Sequence, residues 1–111
     1  MGFKTLIIDG DKSFVNGLKY DLEQENHLIE AVEKGKGISE LINKKDYDLI
    51  LMDLELPDAS GLSICKDIRR ESSVPIIILT KKCEDFNKIL ALEYGADDYL
   101  VKPFNILELK A

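Results

Sequence analysis

Five short apolar runs, each ending at a polar residue, limit what this chain can fold into. They cover residues 4–8, 27–32, 48–52, 76–79 and 98–101, and amphipathic helical patterns separate them. Apolar runs of this length are typical of strands buried on both faces of a parallel sheet. The alternation predicts an α/β fold, a doubly wound five-stranded parallel sheet with helices on both faces. The flavodoxin-like strand order 2-1-3-4-5 suits this length, because right-handed crossovers leave few alternatives.

Length and composition indicate a single domain with its own core. The chain has 111 residues, of which 45% are hydrophobic and 32% charged. No apolar run approaches the roughly 20 residues that a membrane span needs. The two cysteines are far apart and form no CxxC pair, which indicates neither a zinc site nor a disulfide framework and favours a reduced, cytoplasmic setting. The net charge of −6 argues against nucleic-acid binding by this segment itself.

Polar side chains follow four of the predicted strands at the point where each strand ends. Asp9 and Asp11 follow the first strand, Asp53 the third, Thr80 the fourth and Lys102 the fifth. Because the carboxyl ends of parallel strands meet at one edge of the sheet, we expect these side chains to lie together. Clustered carboxylates attract a hard divalent cation such as Mg²⁺, beside which a carboxylate can attack a phosphoryl group. An ammonium and a hydroxyl supply partners for the added phosphoryl oxygens.

Three blocks of the sequence resemble the receiver domain of bacterial two-component response regulators. They are the run 49–53 followed by Pro57 and Gly61, the run 77–80, and residues 95–104, which form the most specific block. The resemblance covers essentially the whole chain. It implies the CheY-like fold with a truncated fifth helix, and one receiver domain over residues 1–111 whose effector domain is absent from this chain. It also implies a phosphoacceptor signalling domain rather than an enzyme.

The resemblance implies a role for each side chain at the predicted edge. Asp53 matches the phosphoacceptor, and Lys102 matches the lysine that contacts the phosphate. Thr80 and Tyr99 match the switch pair, in which the threonine moves toward the phosphate and the aromatic ring turns inward behind it. The implied Mg²⁺ ligands are oxygen donors around the same point: Asp9, Asp11, Asp53 and Glu55.

One position departs from the pattern of the family. Receiver domains usually carry two adjacent acidic residues after the first strand, whereas here Asp9 is followed by Gly10 and a carboxylate returns only at Asp11. Gly10 stands where a direct Mg²⁺ ligand normally sits, which predicts a weakened metal site. Two alternatives stay open: Mg²⁺-dependent phosphorylation of Asp53, or a degenerate receiver that acts through protein contacts alone.

The fourth helix and the residues after it resemble regulators that carry a winged-helix DNA-binding domain. In those regulators the face formed by the fourth helix, fifth strand and fifth helix makes a symmetric dimer through ion pairs. The implied partners are therefore a sensor histidine kinase and a second copy of the chain, while DNA is bound by the effector domain and no membrane is involved. The candidate residues of the dimer face are charged: Lys88, Glu93, Asp97, Asp98 and Glu108.

A small phosphatase of the haloacid dehalogenase type is the enzyme alternative. Such enzymes also begin with an apolar strand that ends in Asp-x-Asp, as residues 9–11 do, and their nucleophile would be Asp9 rather than Asp53. That interpretation leaves Pro57, Gly61 and residues 102–104 without a reason, and such phosphatases usually need a longer chain. The receiver interpretation is therefore favoured, and the identity of the nucleophile separates the two.

Overall fold

The computed structural model of the chain describes residues 3–81, 89 and 92–102. Neighbouring strands are all parallel, and their order in the sheet is β2-β1-β3-β4-β5. The predicted fold class and strand order are thus confirmed. The elements, in chain order, are β1 (Phe3–Ile8), α1 (Lys12–Glu23), β2 (His27–Val32), α2 (Ile38–Lys44), β3 (Leu49–Asp53), α3 (Gly61–Arg69), β4 (Ile76–Thr80) and β5 (Asp98–Val101).

Two hydrophobic clusters cover the two faces of the sheet. On one face, Val15, Leu18 and Leu22 of α1 pack against Ile7 and Leu51. On the other face, α2 and α3 form a second cluster with the alternate residues of β1, β3 and β4. The central strands are therefore buried on both sides, as their uninterrupted apolar runs predicted. None of the helices within the described ranges is long and apolar enough to cross a membrane.

The boundaries of β3 decide where Asp53 lies. The strand begins one residue later than predicted, because Asp48 instead pairs with Lys4, exchanging a backbone hydrogen bond and accepting a second one on its side chain. Asp53 is consequently the last residue of the strand, in register with Leu79 of β4. The sheet thus fixes its backbone while its side chain emerges at the carboxyl edge. The predicted fourth helix (84–94) lies only partly, and the start of the fifth not at all, within the described residues.

Gly61 allows α3 to begin against the end of β3. Its N–H donates to the carbonyl of Leu54 at 2.7 Å, and any side chain at this position would collide with the carbonyl oxygen of Asp53. Only glycine permits so close an approach of two backbones. Ser60 caps the helix by accepting the N–H of Leu62. The loop after the candidate phosphoacceptor is therefore short and anchored.

Asp58 ties this loop to the loop between β2 and α2. Its carboxylate accepts the backbone N–H of Gly35 at 2.8 Å and that of Lys36 at 2.9 Å. These N–H donors, with that of Gly35 foremost, lower the pKa of the Asp58 carboxyl. The contact joins two loops on the carboxyl side of the sheet.

Arg69 anchors the segment that leads into β5. Its guanidinium donates to the carbonyls of Gly95 (2.7 Å) and Val74 (2.5 Å) and to the carboxylate of Asp97 (2.6 Å). The planar fork of arginine suits several acceptors at once. The end of α3, the turn before β4 and the start of β5 are thereby held together by one side chain.

Candidate functional site

Four strands bring their end residues to one edge of the sheet, as predicted. Asp9, Thr80 and Lys102 are buried there, whereas Asp53 is partly exposed, with 18% of its side chain accessible. The ammonium nitrogen of Lys102 lies 2.6 Å from Oδ2 of Asp9 and 3.9 Å from Oδ1 of Asp53. The backbone N–H of Lys102 also donates to the carbonyl of Thr80. The expected convergence of these side chains is therefore observed.

Asp9 is committed to a buried ion pair rather than to the solvent side of the site. Its Oδ2 accepts from the Lys102 ammonium, its Oδ1 accepts the N–H of Asp11 at 2.9 Å, and its side chain is 0% exposed. The ring of Phe14 lies 4.2 Å from the same ammonium and adds a cation–π contact. Removing one partner of such a pair leaves an uncompensated buried charge, which costs about 3–5 kcal/mol. Asp9 and Lys102 therefore hold each other in place.

Asp53 is the carboxylate at this edge with the weakest compensation. Its Oδ1 accepts only a long hydrogen bond, 3.4 Å, from the N–H of Glu55. Burial raises the pKa of the Asp53 carboxyl; the nearby Lys102 ammonium opposes that rise, and the charge of Asp9 adds to it. A carboxylate made more basic in this way, and still open to solvent, is the side chain here best suited to act as a nucleophile.

A cavity of about 220 Å³ opens in front of Asp53. Each water takes about 30 Å³ of liquid volume, so a phosphoryl group and several waters fit this space. A second space of about 360 Å³ shares three of its lining residues and reaches Phe14. The lining of the first cavity combines three carboxylates with two ammonium groups: Asp11, Asp53, Glu55, Lys81 and Lys102.

Lys81 is a cavity residue that the sequence analysis missed. It follows Thr80 directly at the carboxyl end of β4, and it is exposed. The rule that selected Thr80, namely that residues at strand ends share one edge, applies equally to the next position. A lysine just outside a strand nevertheless looks like an ordinary surface residue, which is why the pattern alone did not select it.

Asp11 and Glu55 both lie at the wall of the cavity. The Asp11 side chain caps α1 by accepting the N–H of Phe14 at 3.1 Å. The Glu55 backbone donates to Asp53, as noted above, and its residue borders the same space. The two additional donors proposed for a metal ion are thus near the candidate phosphoacceptor.

The predicted metal ligands do not all face the same space. Asp11, Asp53 and Glu55 line the cavity, whereas Asp9 faces Lys102. Within residues 3–81, 89 and 92–102, no three His, Cys, Asp or Glu side chains converge as a metal-binding group. Magnesium usually keeps several waters and needs only one or two carboxylates. The cavity wall therefore suits a largely hydrated Mg²⁺ at Asp53, with Asp11 or Glu55 beside it.

Gly10 has room for a side chain. A Cβ added there would lie 3.4 Å from Cγ of Pro57 and 3.6 Å from the carbonyl oxygen of Glu33, which are ordinary contacts. The missing carboxylate of this position is therefore not a consequence of crowding.

The two predicted switch residues are both buried. Thr80 is 1% exposed, and Tyr99 is 6% exposed within the cluster that α2 and α3 form on the sheet. The inward position expected of the aromatic ring is the one that Tyr99 occupies here. Its reorientation stays a prediction.

The candidate dimer face is only partly described. Glu93, Asp97 and Asp98 are exposed, as expected of a charged surface. Asp97, however, already pairs with Arg69 of its own chain at 2.6 Å, so its side chain is engaged within the domain. The other two candidates lie outside the described residues: Lys88 and Glu108.

Comparison with known proteins decides the family. A family model described as the response regulator receiver domain matches residues 5–111. The chain belongs to this family. The response regulator ArlR of Staphylococcus saprophyticus is 44% identical over 108 residues, which are 97% of this chain and 49% of that protein. The chain thus spans about half the length of the curated relatives it matches.

Solved receiver domains share the whole fold. A two-component response regulator from Clostridium difficile superposes with a TM-score of 0.93 and 38% identity, over 97% of this chain and 89% of that one. The receiver domain of the sensor histidine kinase PA1611 from Pseudomonas aeruginosa PAO1, solved with a magnesium ion coordinated in its active site cleft, gives a TM-score of 0.89 and 29% identity over 99% and 93%. The resemblance inferred from the three sequence blocks is therefore confirmed, and the chain is the receiver domain of a response regulator.

Proposed function

We propose that this receiver domain accepts a phosphoryl group on Asp53 from a phosphohistidine of a sensor histidine kinase. The observation that carries the proposal is the position of Asp53. It ends the central strand, stays partly open to a cavity of about 220 Å³, and has the Lys102 ammonium 3.9 Å away. A nucleophilic carboxylate with a cation beside it is the arrangement that phosphoryl transfer requires.

The proposed transfer forms one bond and breaks one. A carboxylate oxygen of Asp53 attacks phosphorus, the bond from phosphorus to the imidazole nitrogen of the donor breaks, and the electron pair stays on that nitrogen. The product is an acyl phosphate on Asp53, which water later hydrolyses to restore the carboxylate and release inorganic phosphate. Lys102 stabilises the charge on the phosphoryl oxygens during transfer.

Mg²⁺ is the proposed cofactor. Bound at Asp53, with Asp11 and Glu55 at the cavity wall and the charge of Asp9 behind them, it would neutralise negative charge on the transferring group. The magnesium ion of the related Pseudomonas receiver domain supports this assignment. Because Gly10 supplies no ligand, we expect the affinity for Mg²⁺ to be low.

The proposed response to phosphorylation is a population shift of the surface around the fourth helix and β5. The Thr80 hydroxyl would bond a phosphoryl oxygen, and Tyr99 would be held in its inward position behind it. That surface would then pair with a second copy and control an effector domain that binds DNA, beyond the single receiver domain of residues 1–111. Like the curated relative that is about twice as long, the full regulator would carry this effector domain.

A degenerate receiver is the second candidate, and the Asp9–Lys102 pair is the observation that favours it. An ammonium 2.6 Å from Asp9 occupies the place of a cation at the first carboxylate, next to a position without a side chain. Such a domain would signal through protein contacts, without phosphorylation of Asp53.

Intact mass after incubation with acetyl phosphate distinguishes these candidates. We expect one phosphoryl unit on the native chain, none on Asp53→Asn, and a stronger Mg²⁺ dependence in Gly10→Asp, whose new carboxylate has space. No addition to the native chain, together with addition to Gly10→Asp, would establish the degenerate receiver. A phosphoryl unit that survives Asp53→Asn would refute the assignment of the nucleophile.

A further inference from the structure

Lys81 places a second ammonium group in front of the candidate phosphoacceptor. It lines both the cavity of about 220 Å³ at Asp53 and the adjoining space of about 360 Å³. Lys102 lines both spaces as well. Since Lys81 directly follows buried Thr80 at the end of β4, its backbone is held at the same edge of the sheet. Two lysines from neighbouring strands therefore border one volume.

The charges of this edge show why the second lysine matters. The ammonium of Lys102 lies 2.6 Å from Asp9, and both side chains are almost fully buried, so its charge is largely offset before any ligand arrives. The cavity wall itself carries the carboxylates of Asp11, Asp53 and Glu55. An entering phosphoryl group adds further negative charge to this wall. Of the two lysines at the cavity, Lys81 is the one that the Asp9 carboxylate does not neutralise.

The neighbourhood of Gly10 adds to this requirement for positive charge. Both carboxylate oxygens of Asp9 already accept hydrogen bonds, from Asp11 and from Lys102, and the next residue has no side chain with which to hold a cation. A positive charge that belongs to the protein does not depend on the concentration of a metal ion. An ammonium near the phosphoryl oxygens provides such a charge.

We propose that Lys81 binds the transferring phosphoryl oxygens and supplies positive charge that a divalent cation supplies elsewhere in the family, so that Asp53 is phosphorylated with only weak dependence on Mg²⁺. The proposal rests on the proposed function, because it assumes that Asp53 is the acceptor. The bonds made and broken are those given above, and with acetyl phosphate the oxygen–phosphorus bond breaks and acetate leaves with the electron pair. Lys81 contributes charge and hydrogen bonds and exchanges no proton in the step.

Initial rates of phosphorylation by acetyl phosphate, followed by intact mass, test the proposal. Each variant is measured in excess Mg²⁺ and in EDTA, and the quantity compared is the ratio of the two rates. In the native chain we expect a measurable rate in EDTA and a ratio below about ten. In Lys81→Met we expect the rate in EDTA to fall about tenfold, with a smaller loss in Mg²⁺, because a removed ammonium is replaced there by the metal.

Two control variants separate a direct role from a general effect of charge or folding. Lys81→Arg keeps the positive charge and should keep the native ratio. Lys44→Met removes an equal charge from an exposed lysine in the last turn of α2, and it should also keep the native ratio. A loss of folded protein lowers both rates together and leaves their ratio unchanged, and thermal unfolding of each variant measures that loss.

The outcomes distinguish this proposal from the proposed function. Phosphorylation of the native Asp53 in Mg²⁺ but not in EDTA would overturn the role of Lys81 and leave Asp53 as the acceptor. An unchanged ratio in Lys81→Met would do the same. Absence of phosphorylation under both conditions would overturn the proposed function and this inference with it.

Discussion

The buried pair of Asp9 and Lys102 makes a quantitative prediction about stability. Asp9→Asn keeps an oxygen for the N–H of Asp11 but removes the charge that Lys102 faces at 2.6 Å. An uncompensated buried charge costs about 3–5 kcal/mol, and Asp53, 3.9 Å from the same ammonium, offsets part of that cost. We therefore expect Asp9→Asn to lower the free energy of unfolding by about 2–3 kcal/mol.

The reverse substitution should cost more. Lys102→Met leaves the Asp9 carboxylate, which is 0% exposed, with only the N–H of Asp11 as a partner, and we expect a loss of about 3–4 kcal/mol. The double variant should lose less than the sum of the two single losses by at least about 1.5 kcal/mol, because its second substitution removes a charge that has already lost its partner.

Urea unfolding followed by far-ultraviolet circular dichroism measures all three losses. The matched control is the exposed pair of Lys12 and Glu33, whose nitrogen and oxygen lie 3.5 Å apart and whose side chains are 79% and 56% accessible. Glu33→Gln should change the free energy of unfolding by less than about 1 kcal/mol, as surface ion pairs do. Additive losses in the Asp9 and Lys102 cycle, or single losses no larger than that of the control, would refute the buried pair.

Three further substitutions test other contacts of the fold. Arg69→Ala should lower the free energy of unfolding by about 2–3 kcal/mol in urea, because two carbonyls and the Asp97 carboxylate lose their donor; a loss below about 0.5 kcal/mol contradicts its role as an anchor. Asp53→Asn should stabilise the domain at pH 7, because burial raises the pKa of the native carboxyl and thus penalises its ionised form. That gain should shrink as the pH falls through the raised pKa toward the usual value of about 3.9, where the native carboxyl also becomes neutral, and thermal melts between pH 4 and 7 would show a constant gain if the cause is different. Asp58→Asn should have the opposite pH dependence: the native carboxylate, whose pKa is lowered by two backbone N–H groups, stabilises the fold above about pH 3.9 and loses this effect as the pH falls through its lowered pKa. The melting temperatures of the Asp58 variant and the native chain should therefore converge in acid, and a difference that persists there contradicts the proposed contact.

The sequence was sufficient to predict the sheet and the edge at which the site lies. Uninterrupted apolar runs can only be satisfied by burial on both faces, and the residues that end such runs must then meet, as Asp9, Asp53, Thr80 and Lys102 do. Strand boundaries were less certain, because the side chain of Asp48 competes for the backbone of Lys4 just before β3. That competition depends on a contact between residues 44 positions apart, which no local pattern reports.

The partner of each charged side chain was harder to predict than its place. Asp9 was expected to face a metal ion, yet it pairs with Lys102, 93 residues away. Asp97 was expected on a dimer face, yet it accepts from Arg69 of the same chain. Whether a charge pairs inside or outside a domain depends on distances of a few ångströms set by packing, and strand-end rules specify only the edge on which the charge lies.

The pairing of Asp9 also decides how the two lysines divide their work. For Lys102 to give its full charge to a phosphoryl group on Asp53, it would have to leave Asp9, whose side chain is 0% exposed and has no water to replace the ammonium. Lys81 is exposed and carries no such obligation to Asp9, so it can move toward the phosphoryl oxygens without leaving a buried charge behind. A carboxylate restored at position 10 would shift this balance, because it would draw a cation to the cavity and make the charge of Lys81 less necessary. For that reason Gly10→Asp and Lys81→Met should each increase the ratio of the rates in Mg²⁺ and in EDTA: the first by strengthening the metal site, the second by weakening the reaction that proceeds without it.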